Sequence, residues 1–211
     1  MEINEVINNV QIYGIETSFR GSKFSFATDT DKCNGEFTPT IKRLATAPIG
    51  SGHDNFLNGI IVQFDLTLSN KAWVEAQRYH FLDFISSQST MHRITKFDLD
   101  NAYMPYVDQR CIDIMKEKVA KYNADNEVLK TCEDEQSRKA LTASLNEQYL
   151  QILYTNPCGF RLTASMTTNY RQLKTIYAQR RHHRLPEWHA FCDWVETLPH
   201  AELIIGEANE A

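Results

Sequence analysis

No apolar run in this chain reaches about 18 residues, the length that a membrane-spanning helix needs. The first residues, Met1-Glu-Ile-Asn-Glu5, lack the basic segment of a secretion signal. The five cysteines are odd in number and form no C-x-x-C pair, which argues against a disulfide framework or a zinc site and is typical of reduced thiols. We therefore expect a soluble, cytoplasmic protein with no metal site and no association with a membrane.

The sequence also lacks the short motifs of several enzyme classes. It contains no G-x-G-x-x-G, no Walker loop, no G-x-S-x-G and no H-E-x-x-H. Its net charge of −5 argues against a general nucleic-acid-binding protein. The basic cluster from Arg180 to Arg184 is therefore a local site on an acidic protein, and such a site suits a phosphate or a carboxylate ligand.

The patterns that are present predict a mixed fold. With 211 residues, 42% of them hydrophobic, the chain is long enough for one sizeable core, so we expect a single domain over residues 1–211. Strands and helices follow one another in runs, without a regular βαβ rhythm, which indicates an α+β fold. The predicted strands lie in residues 6–27 (two strands), 59–68 and 160–165. The predicted helices span 38–44, 71–85, 106–123, 132–154 and 186–195, the third and fourth as an antiparallel pair.

One further helix, in residues 166–188, is the centre of the functional prediction. We expect it to begin at Asn169, with Thr167 or Thr168 as its N-cap. Asn169 and Arg180 are eleven residues apart, which is close to three turns, so they share a face with the apolar stripe. The apolar positions of the helix are Leu173, Ile176 and Tyr177. An arginine on such a face must meet an anion or reach water, and on the pattern alone an arginine that snorkels from a helix end is the favoured explanation.

Three polar islands are candidates for chemistry. They are residues 52–53, residues 77–80 together with 86–89, and residues 169–184. Each also has an ordinary interpretation: a histidine after a glycine is typical of a turn, and Ser-Ser-Gln-Ser is typical of a helix end. A Cys/His nucleophile pair is not favoured by any spacing in the chain.

Together and in this order, the three islands resemble the flavin-dependent thymidylate synthases, also called the thymidylate synthase-complementing family. That family carries a histidine before a core strand, an Arg-His-Arg helix, a serine-containing substrate loop, and a Leu-Pro followed twelve residues later by Asn-Ala-Arg-Ser-Leu. Here Pro157 lies twelve residues before Asn169, and Arg180 follows eleven residues after it. The segment Asn169-Tyr-Arg-Gln-Leu173 keeps the asparagine, the arginine and the leucine. The resemblance covers roughly residues 50–195.

Several positions depart from the pattern of the family. Arg78-Tyr79-His80 stands in place of Arg-His-Arg, and Asn58-Gly59 stands in place of a Glu-His pair. The loop arginine corresponds to Thr90 or Met91, and the arginine that grips the nucleotide phosphate in the family corresponds to Leu153. The arginines that are candidates to replace it are Arg161, Arg181 and Arg184. The chain therefore resembles a divergent member of the family.

The resemblance implies an architecture and a reaction. The expected subunit is α+β, with a central, mostly antiparallel sheet and a long helical pair, and it forms a homotetramer that holds FAD and substrate between subunits. The expected reaction is one-carbon transfer to a pyrimidine deoxynucleotide, either dUMP methylation or a close variant. Methylenetetrahydrofolate and NADPH are the expected co-substrates. No nucleic acid is expected as a partner.

The resemblance also assigns roles to single residues. Arg180 is the candidate catalytic residue, because an arginine against the pyrimidine carbonyl would stabilise the charge that develops on the ring. The candidates for cofactor binding are His53, Arg78, His80, Asn169 and Arg171. The candidates for substrate binding are Gln77, Ser87, Gln88, Ser89 and Arg180.

Two rival hypotheses remain open at this level. One is a flavoenzyme of the same fold that acts on another pyrimidine nucleotide or adds a different one-carbon group. The other is a non-catalytic or re-purposed relative that keeps the scaffold and binds a nucleotide or a protein partner. Flavin content separates the non-catalytic relative from the two enzymes.

Overall fold

A computed structural model describes residues 1–48 and 50–206 of the chain. Within them, residues 1–68, 72–87 and those from 163 onward form one compact unit, and residues 69–71 and 88–162 form a second. The prediction of one domain over residues 1–211 stays a prediction.

The first unit contains a four-stranded sheet. Its strands are β1 (Ile7–Tyr13), β2 (Ile61–Ser69), β3 (Asp83–Ser87) and β4 (Arg161–Asn169), in the order β1-β2-β4-β3. The pairs β1–β2 and β3–β4 are antiparallel. The central strands also run in opposite directions, since Thr67 hydrogen-bonds Thr163 and the amide of Tyr170 donates to the carbonyl of Ile60. The prediction of an α+β fold with a mostly antiparallel sheet is therefore confirmed.

Six α-helices among the described residues belong to the first unit. They are α1 (Ile15–Ser22), α2 (Pro39–Ala45), α3 (Asn70–Ala76), α7 (Tyr170–Arg180), α8 (Pro186–Glu196) and α9 (Glu202–Ile205). Alternate residues of β2 are buried, as expected for a strand with one covered face. Phe64 of β2 packs against Phe191 and Trp194 of α8, with ring centroids 6.3 and 4.8 Å apart.

The second unit is built on the long helical pair that the sequence predicts. The helices are α4 (Thr90–Arg93), α5 (Gln109–Thr131) and α6 (Glu135–Thr155). Asp108 and Asp134 cap the two long helices, each accepting a hydrogen bond from a backbone amide in the first turn. Met115 of α5 and Ile152 of α6 are fully buried in one apolar cluster with Phe160. The prediction of paired helices is confirmed, with α5 beginning later and ending later than expected.

Two of the predicted elements are wrong. Residues 15–22 are a helix rather than a second strand, because Ile15, Ser18, Phe19 and Ser22 follow the helical period of three and four. The predicted helix at 71–85 ends at Ala76, and the chain re-enters the sheet as β3. Phe81 has a φ of 63°, which no α-helix accommodates. The sequence patterns also predict no helix after residue 195, whereas α9 follows there.

None of the helices in residues 1–48 and 50–206 is long and apolar enough to cross a membrane.

Candidate functional site

The first turn of α7 is fixed by Asn169, which is itself the N-cap. Its Oδ1 accepts a hydrogen bond from the amide of Gln172 at 2.9 Å, and the residue is only 8% exposed. The prediction of Thr167 or Thr168 as the cap is therefore wrong, because the oxygen that accepts from the first turn belongs to Asn169, while the hydroxyl of Thr168 donates to the carbonyl of Phe81. The cap directs the start of α7 towards a small cavity.

That cavity, of about 150 Å³, contains two cations held over a buried carboxylate. Asp54 is 4% exposed and accepts hydrogen bonds from Nε of Arg171 at 3.2 Å and from Nζ of Lys174 at 3.1 Å. The ammonium of Lys174 also donates to the carbonyl of Ala45 at 2.6 Å. The cavity is lined by Asp54, Asn58, Phe81, Asn169, Arg171, Gln172, Lys174 and Thr175. With two cations and one carboxylate, this group retains a positive charge that can attract an anion.

His53 lines a larger cavity of about 660 Å³ in the same unit. The other lining residues are Gly14, Thr17, Ser18, Gly21, Ser22, Ser25, Leu44, Gly52, Asn55, Phe56 and Gly59. Glycines and hydroxyl groups predominate, and the His53 side chain is exposed. A Cβ on Gly14, whose φ is 80°, would lie 2.3 Å from the carbonyl oxygen of Gly59, so glycine is required where α1 approaches the 3₁₀ helix Asn55–Gly59. Backbone atoms therefore form this wall of the cavity.

At the opposite end of α7, Arg180 belongs to a network that is largely buried. Its Nε donates to the hydroxyl of Tyr79 at 2.7 Å, and its Nη1 forms an ion pair with Glu75 at 3.0 Å. The guanidinium carbon lies 4.9 Å from the centre of the Trp188 ring. The side chains of Arg180 and Glu75 are each 13% exposed. The arginine therefore meets an anion, as one sequence interpretation required, and that anion is a carboxylate of its own chain.

The carboxylate of Glu75 has further partners besides Arg180. Trp188 donates to it from Nε1 at 3.1 Å, and Nε2 of His183 lies 3.2 Å away. Nδ1 of His183 accepts from the amide of Leu185, so the neutral imidazole with its proton on Nε2 satisfies both contacts. Burial, the larger effect, raises the pKa of the neighbouring Tyr79 and outweighs the opposing hydrogen bond from Arg180. Tyr79 is thus a neutral acceptor for the arginine.

The remaining predicted residues lie on the surface. Gln77, Arg78 and His80 are exposed in the turn after α3. Ser87 ends the strand β3, where it pairs with Ala164, and Gln88 and Ser89 lead into α4. The expectation that Ser86 to Ser89 ends a helix is wrong, because the first two serines are strand residues. The structure brings Asn169 and Arg171 together at one cavity and places Arg180 at the other end of α7.

Three residues of these groups were not predicted. Lys174 had a readable signal, since it lies three residues after Arg171 and so on the same face of α7. Asp54 directly follows His53, but no sequence pattern shows that its carboxylate is buried. Glu75 gave no signal, because its partners Arg180 and Trp188 are more than a hundred residues away in the chain.

Comparison with known proteins identifies the fold. No protein-family model matches the sequence, and a search of curated proteins finds no match. Two solved structures of the flavin-dependent thymidylate synthase ThyX from Helicobacter pylori, both with FAD and dUMP, match the structure. The first has a TM-score of 0.63 and 15% identity over 97% of this chain and 98% of that one. The second has a TM-score of 0.61 and 14% identity over 94% and 98%. The chain therefore has the fold of the flavin-dependent thymidylate synthases.

Replacement of Glu75 by alanine is expected to lower the free energy of unfolding by about 3 kcal/mol, because it leaves the Arg180 charge in a largely buried place without a carboxylate. Glu196→Ala is the matched control. Glu196 pairs with Arg181 where both side chains are 37% exposed, and it also accepts a hydrogen bond from the hydroxyl of Tyr177 at 2.7 Å, so its loss should cost about 1 kcal/mol. Urea unfolding of both variants measures the difference, and equal losses would show that the Glu75 pair does not stabilise the fold.

Proposed function

We propose that this protein, which has the fold of the flavin-dependent thymidylate synthases, is a divergent member of that family. We propose that it transfers a one-carbon group to a pyrimidine deoxynucleotide, in dUMP methylation or a close variant. The observation that carries the proposal is the cavity at Asn169, where Arg171 and Lys174 are held over Asp54 in the segment that resembles the family. Both matching structures contain FAD and dUMP.

The residues of the first unit fit a flavin dinucleotide. The cavity at His53, of about 660 Å³, offers an imidazole for stacking and several hydroxyl groups as donors. The cations at Arg171 and Lys174 suit a diphosphate. His53 and Asp54 are consecutive, so the two cavities have neighbouring walls. We therefore assign FAD binding to His53, Asn169 and Arg171, with Arg78 and His80 as exposed candidates from the turn after α3.

When bound, the flavin would supply reducing equivalents from NADPH, and methylenetetrahydrofolate would supply the carbon. The role of Arg180 follows from its geometry in this chain. Tyr79 and Glu75 hold Nε and Nη1, while Nη2 makes no hydrogen bond among residues 1–48 and 50–206. A guanidinium that is already fixed stabilises developing negative charge without reorganisation. Gln77, Ser87, Gln88 and Ser89 are the proposed contacts to the nucleotide.

A second candidate function is a non-catalytic relative that binds a nucleotide or a protein. One observation favours it: the charge of Arg180 is balanced by Glu75, which reduces the attraction that the guanidinium can exert on a substrate. Flavin binding decides between the two functions.

The first test is the absorption spectrum of the purified protein after titration with FAD. We expect saturable binding, with the spectrum of a bound oxidised flavin. His53→Ala should raise the Kd for FAD by about tenfold through the loss of stacking, and it should not alter stability because the side chain is exposed. His182→Ala removes another exposed imidazole and should leave the Kd unchanged. A wild-type protein that takes up no flavin at excess FAD would contradict the cofactor assignment.

Asn169 needs a different substitution, because Asn169→Ala would also remove the N-cap and cost about 1 kcal/mol of stability. Asn169→Ser keeps an oxygen for the cap and removes the amide. A weaker affinity for FAD in Asn169→Ser at unchanged stability would assign the amide to the ligand.

Arg180→Lys should lower kcat by about a hundredfold and change nucleotide affinity little, because the contact strengthens in the transition state and lysine lacks the planar fork. The same substitution removes contacts to Tyr79 and Glu75, so the unfolding free energy must be measured alongside. Tyr79→Phe is the control: it removes one acceptor but keeps the guanidinium, and kcat should stay within about threefold. If Arg180→Lys and Arg180→Ala both leave kcat unchanged, the end of α7 is scaffold.

We also propose a homotetramer. The edge strand β3 is exposed at all five residues, and its apolar side chains Phe84 and Ile85 are 44% and 54% exposed. Phe81, just before it, is 63% exposed. An exposed apolar edge strand promotes aggregation, because its backbone groups are unpaired. Association with a second copy of the chain would cover it. Light scattering at micromolar concentration should give the mass of an oligomer, and a strict monomer would contradict the proposal.

A further inference from the structure

Donors from three side chains converge on one oxygen of Glu75 at the C-terminal end of α7. Its Oε2 accepts from Nη1 of Arg180 at 3.0 Å and from Nε1 of Trp188 at 3.1 Å, and Nε2 of His183 lies 3.2 Å away. The indole of a tryptophan carries no charge, and a guanidinium does not lose its proton in proteins. Among these three donors, only the imidazole of His183 can therefore change its charge near neutral pH.

The other ring nitrogen of His183 contacts the start of α8. Its Nδ1 accepts a hydrogen bond at 3.2 Å from the amide of Leu185, the N-cap residue of that helix. A protonated imidazole donates from both nitrogens, so proton uptake breaks the contact with Leu185 and makes the contact with Glu75 a charge-assisted one. The His183 side chain is 24% exposed, so water can deliver the proton. Protonation therefore changes both the charge of this group and the contacts at the start of α8.

Proton uptake also changes how the charge of Arg180 is balanced. While His183 is neutral, the charges of Arg180 and Glu75 cancel, whereas with an imidazolium two cations share one carboxylate. These side chains are largely buried, so solvent screens the added charge only in part. Nη2 of Arg180 makes no hydrogen bond within the described chain. A negative charge that develops at this atom is therefore stabilised more strongly when His183 is protonated.

Two further titratable groups near Arg180 stay neutral over about pH 5 to 8, the range in which imidazoles titrate. Burial, the larger effect, raises the pKa of Tyr79, although the hydrogen bond from Arg180 opposes it. Burial also raises the pKa of the Cys192 thiol to about 12. Neither group therefore competes with His183 for a proton in this range.

The chain around His183 adds charged groups and a second imidazole. The charged side chains that flank it are either paired with acids of α8 or exposed: Arg181, which pairs with Asp193 and Glu196, and Arg184. The second imidazole is that of His189, which is exposed and whose Nε2 contacts the backbone carbonyl of His183. His189 is therefore the matched control for any effect of pH on this group.

We infer that His183 is a positioning residue for Arg180. As a neutral imidazole it aligns the carboxylate that pairs with the guanidinium, and on taking up a proton it binds that carboxylate as a second cation. The proton uptake is argued from the geometry of this group alone, whereas its effect on turnover rests on the proposed function. Because a proton adds positive charge, the stabilisation of negative charge at Arg180 increases as the pH falls through the titration of His183.

The indole of Trp188 reports on this proton directly, because it shares the Glu75 oxygen and its amide donates to the carbonyl of Leu185. The chain contains three tryptophans, so labelling of the full chain with 5-fluorotryptophan gives three fluorine resonances, and Trp188→Phe identifies one of them by its loss. We expect that resonance to move in a single step between about pH 8 and 5. His183→Gln keeps a donor and an acceptor but cannot take up a proton, so the movement should be lost. His189→Gln should titrate like the wild type.

Turnover gives the second measurement. The ratio of kcat between the wild type and His183→Gln cancels the pH effects that the two proteins share, including those of the substrate. We expect this ratio to be about one at pH 8 and to rise to about tenfold at pH 5.5, because a second cation then acts near the reacting group. The same ratio against His189→Gln should not change with pH. Equal urea unfolding of the three proteins at pH 8 checks that the variants keep the fold.

Two results would overturn the inference: a Trp188 resonance that does not titrate in the wild type, or one that titrates equally in His183→Gln. A constant kcat ratio in an active enzyme would also refute the positioning role, and it would leave the proposed function standing. A resonance that titrates through His183 in a protein that takes up no FAD would support the proton uptake and contradict the proposed function.

Discussion

The helix α7 is held at both ends by buried carboxylates that come from distant parts of the chain. Asp54 binds Arg171 and Lys174 in the first turns, and Glu75 binds Arg180 at the last. Both acids are largely buried, and so are Lys174 and Arg180, so their pairs are poorly screened by solvent, whereas Arg171 is 37% exposed and its pair with Asp54 is more strongly screened. The placement of every basic group that this helix offers to a ligand depends on these two contacts.

This arrangement has opposing consequences for ligand binding. A confined cation loses little entropy on meeting an anion, which favours recognition and electrostatic catalysis. A paired cation also exerts a weaker field, because its carboxylate partner balances part of the charge. At Asp54 two cations share one acid, so positive charge remains. At Glu75 one permanent cation meets one acid, and His183 is satisfied as a neutral imidazole. The start of α7 is therefore better suited to hold a diphosphate, and its end is better suited to orient a single contact.

The sequence predicts a helix or a strand correctly where the apolar residues follow a single spacing. Along β2, apolar residues recur at every second position, and along α5 and α6 they recur every three to four positions. The sequence predicts all three elements. The misread segments are short and mixed. Residues 15–22 carry both patterns, and no local sequence signal marks the end of the helix at Ala76 or the positive φ of Phe81 before β3. The structure places Asn169 and Arg171 at one cavity, and both were singled out in the sequence through the spacing that carries the family resemblance. Asp54 and Glu75 were not, because ion pairs across a fold leave no local pattern.

The local charge at the cavity near Asn169 is opposite in sign to the net charge of the chain. The chain carries a net charge of −5, yet the cavity at Asn169 presents two cations and one carboxylate. An acidic surface repels nucleic acid and other polyanions, whereas a small mono- or dianion can still reach a local cation, since screening limits the repulsion to about 8–10 Å at physiological salt. At Asn169 the buried acid orients Arg171 and Lys174 but leaves an excess of positive charge, so a fixed geometry and an attraction for anions occur at the same place.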